Sequence, residues 1–166
     1  MWAQLVYRVR QFFTGALGRL TDEEQRAVRQ FLALQEQALF QTMNHTTQRH
    51  CFNVYRTLKA AGIKDPVLLK AGLLHDVGKG QISLWPRVAL VVLEALAPRL
   101  STWLSRSQPG GWRWGLYLNL HHESRGAQIL EQFGVQSEVT ELVRHHHRES
   151  EGNPRLQAFQ AADAAN

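Results

Sequence analysis

The chain reads as all-α, and three observations lead to that class. Apolar residues recur at helical spacing along most of the sequence. No stretch alternates apolar and polar residues convincingly enough to make a strand. Helix-start signals recur, among them Thr21-Asp22-Glu23-Glu24, Asp65-Pro66 and Asn153-Pro154. At 166 residues the chain is long enough for one domain with a real core.

Composition narrows the function classes. The single cysteine, Cys51, rules out an internal disulfide and zinc-finger chemistry. It also fits a reducing compartment, so a cytoplasmic location is expected. Net charge is +5, and 15 of the 19 basic residues are arginine, whose forks suit phosphate and carboxylate oxygens or a solvated helix face. The opening residues lack the basic segment, apolar core and small-residue cleavage site of a leader.

Residues 1–43 are expected to form an N-terminal helical extension packed on the main domain. Trp2, Leu5, Val6, Val9, Phe12, Phe13 and Leu17 share a face, with Arg8 and Arg10 off it. Such a face could also lie on an anionic membrane, but packing is the commoner outcome. The capping box at Thr21 opens the next helix, which turns Val28, Phe31 and Leu32 inward. A further helical piece covers Gln35 to Met43.

Residues 44–166 form the main domain. A helix runs from Asn44 to Ala61 and closes at Gly62. Asp65-Pro66 caps and starts the helix that ends in the adjacent pair His75-Asp76, with Gly78 and Lys79 directly beyond. A hydrophobic helical insert spans residues 84–114. Its apolar window, Leu84 to Leu104, is interrupted by Pro86, Arg87, Glu94, Pro98 and Arg99, which argues against a transmembrane segment. Ser107 to Gly111 reads as a loop, with Trp112 and Trp114 after it. His122 to Phe133 is helical and stops at Gly134, Ser137 opens a helix running into His145-His146-His147, and the last helix runs from Asn153-Pro154 to Asp163.

Helical phase sorts the candidate ligands, because residues at i, i+3, i+4 and i+7 share a face. His50 lies with Met43, Val54, Leu58 and Ala61, whereas His45 points away. His75 stands over Leu68, Ala71 and Gly72, small enough in part to admit a neighbouring helix closely. His122 shares a face with Gly126, Ile129 and Phe133, while His121 falls in line with Arg125 and Gln128. His146 joins Val139, Leu142 and Val143, His147 lies at the edge of that stripe, and His145 points elsewhere. Asp163 continues the Leu156, Phe159, Gln160 face. A lone histidine on an apolar face is ordinarily a satisfied core residue. Seven candidates on inward faces, His50, His75, Asp76, His122, His146, His147 and Asp163, would be costly to bury without a counter-charge, and a dication supplies one. Phase alone leads to a metal site without saying what reaction it runs.

In combination these residues resemble the HD superfamily of metal-dependent phosphohydrolases, helical bundles named for the adjacent His-Asp pair. Leu73-Leu74-His75-Asp76-Val77-Gly78-Lys79 resembles the apolar-apolar-His-Asp-apolar-Gly-Lys signature. The segment from His122 to Ala127 is similar to the family's His-Pro-Glu-Leu-Gly-Ala, Val143 to His147 to its paired-histidine segment, and Ala162-Asp163 to its closing Ala-Asp. The resemblance covers roughly residue 44 to the end, and implies an HD-domain helical bundle carrying the N-terminal extension. It implies that His50, His75, Asp76 and Asp163 bind one ion. The further histidines His122, His146 and His147 match subfamilies with two ions, bridged by Asp76. Iron or manganese is favoured, with Mg, Zn, Ni or Co as alternatives. The Gly-Tyr-Pro motif of the cyclic-di-GMP phosphodiesterases is absent after His147, which counts against that substrate.

The expected activity is hydrolysis of a phosphate ester of a nucleotide or related small molecule, with Asp76 and Lys79 as the catalytic residues. The cation would acidify a water and draw charge from the phosphoryl oxygens. Lys79 is expected to meet a substrate phosphate, with Arg125 and Arg144 as further candidates; Lys79 could instead be a cation favoured at a helix C-terminus. Arg49 and Arg148 also flank ligands. The alternative is a metal-binding sensor with little turnover. A stable nucleic-acid partner is not expected, since only the basic balance supports one. The insert could roof the active site, form a homodimer face through residues 84–104, or touch a membrane surface; a roof or dimer face is the expectation.

Overall fold

A computed structural model of the chain describes residues 18–80, 114–150 and 152–166. The expected helix over residues 2–17, the helical pieces of the insert and the loop at 107–111 lie outside the described residues. Among the described residues there are seven α-helices, one short 3₁₀ turn and no strand. They are α1 (Asp22–Phe31), α2 (Leu34–Gln41), α3 (His45–Ala60), α4 (Pro66–Leu74), the turn Val77–Lys79, α5 (Trp114–Gln132), α6 (Ser137–His145) and α7 (Pro154–Ala164). None of the described helices is long and apolar enough to cross a membrane.

The bundle is built around α4. Asp65 starts it by accepting a hydrogen bond from the Val67 N–H, and Pro66 sits where no donor is needed. Val67, Leu68, Leu69, Ala71, Gly72, Leu73 and Leu74 are all buried, the pattern of a helix covered on every side. Helices α2, α3, α6 and α7 pack around it. Gly72 lets α3 come close: a Cβ there would lie 3.1 Å from Leu58 Cδ1 and 3.6 Å from the Tyr55 Cα. Helix α3 starts at Asn44, whose side chain accepts from the Thr47 N–H, and buries Cys51, Phe52, Val54, Tyr55 and Leu58.

The capping box at Thr21 forms in both directions, with Glu24 N–H donating to Thr21 Oγ1 and Thr21 N–H to Glu24 Oε2. Glu24 has a second task. Arg49 on α3 donates from both terminal nitrogens to its carboxylate, at 2.7 Å each, and also reaches the Gly18 and Arg19 carbonyls. This fork holds the Glu24 carboxyl down to a pKa of about 2. Arg49 is therefore a strut between α1 and α3. A second strut joins α2 to α4, where buried Glu36 accepts from Lys70 and from the Ala33 N–H.

Two expectations are corrected. Helix α5 begins by Trp114, not at His122: residues 114–121 continue the same helix, and Leu118 is buried one turn before His122. Phe133 does not join the core but is 47 % exposed. The helix ends at Gln132, and Gly134 takes a left-handed φ of 68°. The Val135 N–H then returns to the Leu130 carbonyl and the Gly134 N–H to that of Glu131. Leu130 and Val135 fill the space inside, and Phe133 is carried outward.

Candidate metal centre

The site starts at the C-terminus of α4. His75 is the last residue of its helical hydrogen-bonding, and Asp76 leads into the tight turn Val77–Lys79, closed by Lys79 N–H to the Asp76 carbonyl. Gly78 permits that turn to rest directly on α5. A Cβ at Gly78 would stand 2.0 Å from the His122 carbonyl oxygen and 2.6 Å from the Gly126 nitrogen, so no side chain fits. Gly126 completes the contact from the other side. The two glycines set the distance between the His-Asp pair and His122.

Two clusters of donors face one another across Asp76. In the first, His50 Nε2 of α3 lies 3.2 Å from His75 Nε2 and 2.9 Å from Asp163 Oδ1 of α7. His75 Nε2 is 3.6 Å from both Asp163 Oδ1 and Asp76 Oδ1. In the second, His122 Nε2 of α5 lies 3.2 Å from His146 Nε2, and the donor atoms of His122, His146 and His147 all fall within 4.8 Å of one another. Asp76 Oδ1 is 3.6 Å from His122 Nε2, and Asp76 Oδ2 is 3.9 Å from His50 Nε2. One fully buried carboxylate thus adjoins both clusters. Lys79 Nζ contacts its Oδ1 at 2.6 Å.

The donor set fits divalent cations on two grounds. Two ligand atoms each about 2.1 Å from one ion lie roughly 3.0–3.4 Å apart at tetrahedral to octahedral angles, the spacing of both Nε2 pairs. The hydrogen bonds around the rings also free the correct nitrogens. His75 Nδ1 lies 3.0 Å from the Gly72 carbonyl and His146 Nδ1 2.6 Å from that of Val143, each three residues back. A carbonyl only accepts, so each Nδ1 carries the proton, and a neutral ring then presents a bare Nε2 lone pair.

Electrostatics favour the same state. Burial pushes the His75 pKa down, outweighing the attraction of Asp76 and Asp163. Burial, with His75 and His147 nearby, takes His146 down to about 3. Burial alone would raise the Asp163 carboxyl, but the His50 hydrogen bond and the His75 and His50 rings hold it well below the usual carboxylate range. Neutral imidazoles and ionised carboxylates are the forms that bind metal.

The structure brings together all seven residues picked by phase. His75, Asp76, His122 and His146 are buried, His50 and Asp163 are partly covered, and His147 lies on the exposed rim. The histidines set aside lie elsewhere: His45 is exposed, His121 rests against Tyr117, and His145 is near Glu141. Arg125 is exposed, and Arg144 is ion-paired with Glu131 and Glu141.

Sequence reasoning missed three supporting residues. Fully buried Phe159 meets the His75 ring edge-on and stacks on that of His146. Cys51 Sγ sits 3.7 Å from His75 Nδ1, with its thiol pKa raised by burial. Gln160 reaches the turn after α6. Only Phe159 and Gln160 gave a signal, by sharing the helical face of Asp163.

No curated protein and no solved structure matches the chain. The HD domain family does, over residues 47–165, a span that holds every residue of both clusters. This is a superfamily made up largely of metal-dependent hydrolases. By that match, and with the His-Asp pair and its partner histidines converging as described, the chain belongs to the HD domain family.

Proposed function

We propose that the chain is a metal-dependent phosphohydrolase cleaving a phosphate ester of a nucleotide or related small molecule, with two divalent ions, iron or manganese favoured. The observation that carries this reading is the position of Asp76, a carboxylate with no exposure lying between a cluster with His50, His75 and Asp163 and a cluster with His122, His146 and His147. The Lys79 ammonium balances part of this charge, and the histidine nitrogens gathered on either side of the carboxylate form donor sets that suit cations. The ions, when bound, would acidify water and withdraw charge from phosphoryl oxygens.

The chain's own contribution is positioning and charge. His75 and His146 are fixed through Nδ1, so their Nε2 atoms need no rearrangement on binding. Asp76 supplies the anionic centre and can accept a hydrogen bond from the attacking water. Lys79, on the turn beside it, carries an ammonium able to transfer from Asp76 to a phosphate oxygen. Arg144 would have to leave two carboxylates to do so, and Arg125 stands exposed, so we assign the phosphate role first to Lys79.

A metal-binding regulatory module with little turnover is the second reading. The engagement of Arg144 elsewhere favours it, since fewer cations are then at hand for a substrate. Hydrolysis of a nucleotide and phosphoester panel by protein purified without chelators or a histidine tag separates the two. The hydrolase reading expects turnover that disappears in His50→Ala and Asp76→Ala. Metal binding with no turnover on any substrate would favour the regulatory module.

A further inference from the structure

The second cluster hangs on a short piece of chain. Helix α6 ends at His145, His146 is its cap, and exposed His147 lies in the turn beyond. Past a helix end the carbonyls lack intrahelical partners. Here two of them, those of His146 and Arg148, flank His147 on either side. Both accept from one side-chain amide: Gln160 Nε2 lies 3.1 Å from the His146 oxygen and 2.5 Å from the Arg148 oxygen. Only an NH₂ group can satisfy two carbonyls, so the orientation of this amide follows from its partners.

Gln160 belongs to α7, three residues before Asp163 and next to Phe159. A single turn of α7 therefore supplies a carboxylate to the first cluster, an apolar wall to His75 and His146, and a clamp on the backbone around His147. The far end of α7 is tied to α3, the helix of His50, by Asn166 donating to Thr57 Oγ1.

We propose that Gln160 is a positioning residue that fixes the His146–His147 turn and so makes the second cluster competent to bind its ion. This rests on the metal-centre reading above. The proposal requires that the amide matter through its two N–H groups and that the effect be confined to the second cluster. Gln160→Met keeps the length without the donors. Gln160→Glu turns a carboxylate toward two carbonyls and should be no better than methionine.

The test is Mn²⁺ titration of the chelated full chain by calorimetry, with metal per chain after dialysis, for wild type and both variants. Amide hydrogen exchange of residues 145–149 and 45–60 is followed without metal. Expected is a second-ion affinity about 10- to 100-fold weaker in both variants with the first unchanged, the usual effect of removing a residue that orients a ligand. Faster exchange limited to residues 145–149 is expected beside it. Wild-type affinity for both ions in either variant would overturn the proposal. So would equal weakening of both ions with faster exchange throughout, which marks general destabilisation. If the wild type itself bound no Mn²⁺, the metal-centre reading would fail, and hydrogen exchange would decide the clamp: a rise confined to 145–149 upholds it and no rise refutes it.

Discussion

Replacing Gly78 by alanine would drive a methyl group into the backbone of α5. Its Cβ would stand 2.0 Å from the His122 carbonyl oxygen, 2.9 Å from that carbonyl carbon and 2.6 Å from the Gly126 nitrogen. All three are backbone atoms, so no rotamer change relieves the clash. The turn and α5 must separate by about 1 Å or more to restore ordinary contact, and overpacking of this kind costs roughly 1–3 kcal/mol or more. For a chain of this size that corresponds to a Tm lowered by about 2–12 °C. The same displacement pulls His122 from Asp76, and misplacement by about 1 Å can cost on the order of 100-fold in activity. Thermal unfolding and metal analysis read both effects: Gly78→Ala is expected to melt earlier and to lose the ion of the second cluster while keeping the first. Gly126→Ala is the milder counterpart: its Cβ would stand 3.3 Å from the Gly78 nitrogen and 3.4 Å from Val143 Cγ1, a tight contact but no overlap, so a smaller loss of Tm and metal is expected. A Gly78→Ala protein with the wild-type Tm and full metal content would refute the packing argument.

Arg49→Ala should lower stability by about 2 kcal/mol in a denaturant titration, through loss of the two-pronged contact to Glu24, and leave metal content unchanged. Chelated protein should lose stability as pH falls below about 6.5. His146 stays neutral down to about 3 when folded but takes up a proton near 6.5 when unfolded, so the unfolded state binds more protons across that window. The loss at pH 5 is about 1–2 kcal/mol from His146, with buried His75 adding in the same direction, read as a falling urea midpoint. Adding metal at about 100 times its dissociation constant should raise stability by about 2.7 kcal/mol per site at pH 7, and chelation should reverse the rise in Tm. Lys79→Met should retain metal and lose turnover of the phosphoester found in the panel by about 100-fold or more, in steady-state kinetics.

The residues show why the sequence could be read so far and no further. Helix starts depend on local chemistry, so Thr21, Asn44, Asp65 and Asn153 each act as the cap their side chains suit. The choice of His50 over His45, and of His122 over His121, needed only the 100° step of a helix and the apolar stripe beside it. Phe133 broke that rule because phase loses meaning one residue past a helix end. The start of α5 is missed because residues 115–121, between the insert and His122, carry no helix-start signal and are assigned to no element. Arg49 flanks His50 in the sequence, yet its partner is Glu24, 25 residues back, and no local pattern shows that pairing. The contact of Gly78 with Gly126 is likewise tertiary: each glycine is visible in the sequence, but the backbone that excludes a side chain belongs to another helix.

Metal per chain at saturation tests the central claim most directly, measured on untagged protein reconstituted with Mn²⁺ or Fe²⁺ and freed of loosely bound ions. The account predicts close to two equivalents in the wild type, about one in His122→Ala, and loss of both in Asp76→Ala, whose carboxylate adjoins both clusters. One equivalent in the wild type, unchanged by His122→Ala, would reduce the second cluster to packing. No bound metal after reconstitution would contradict the account.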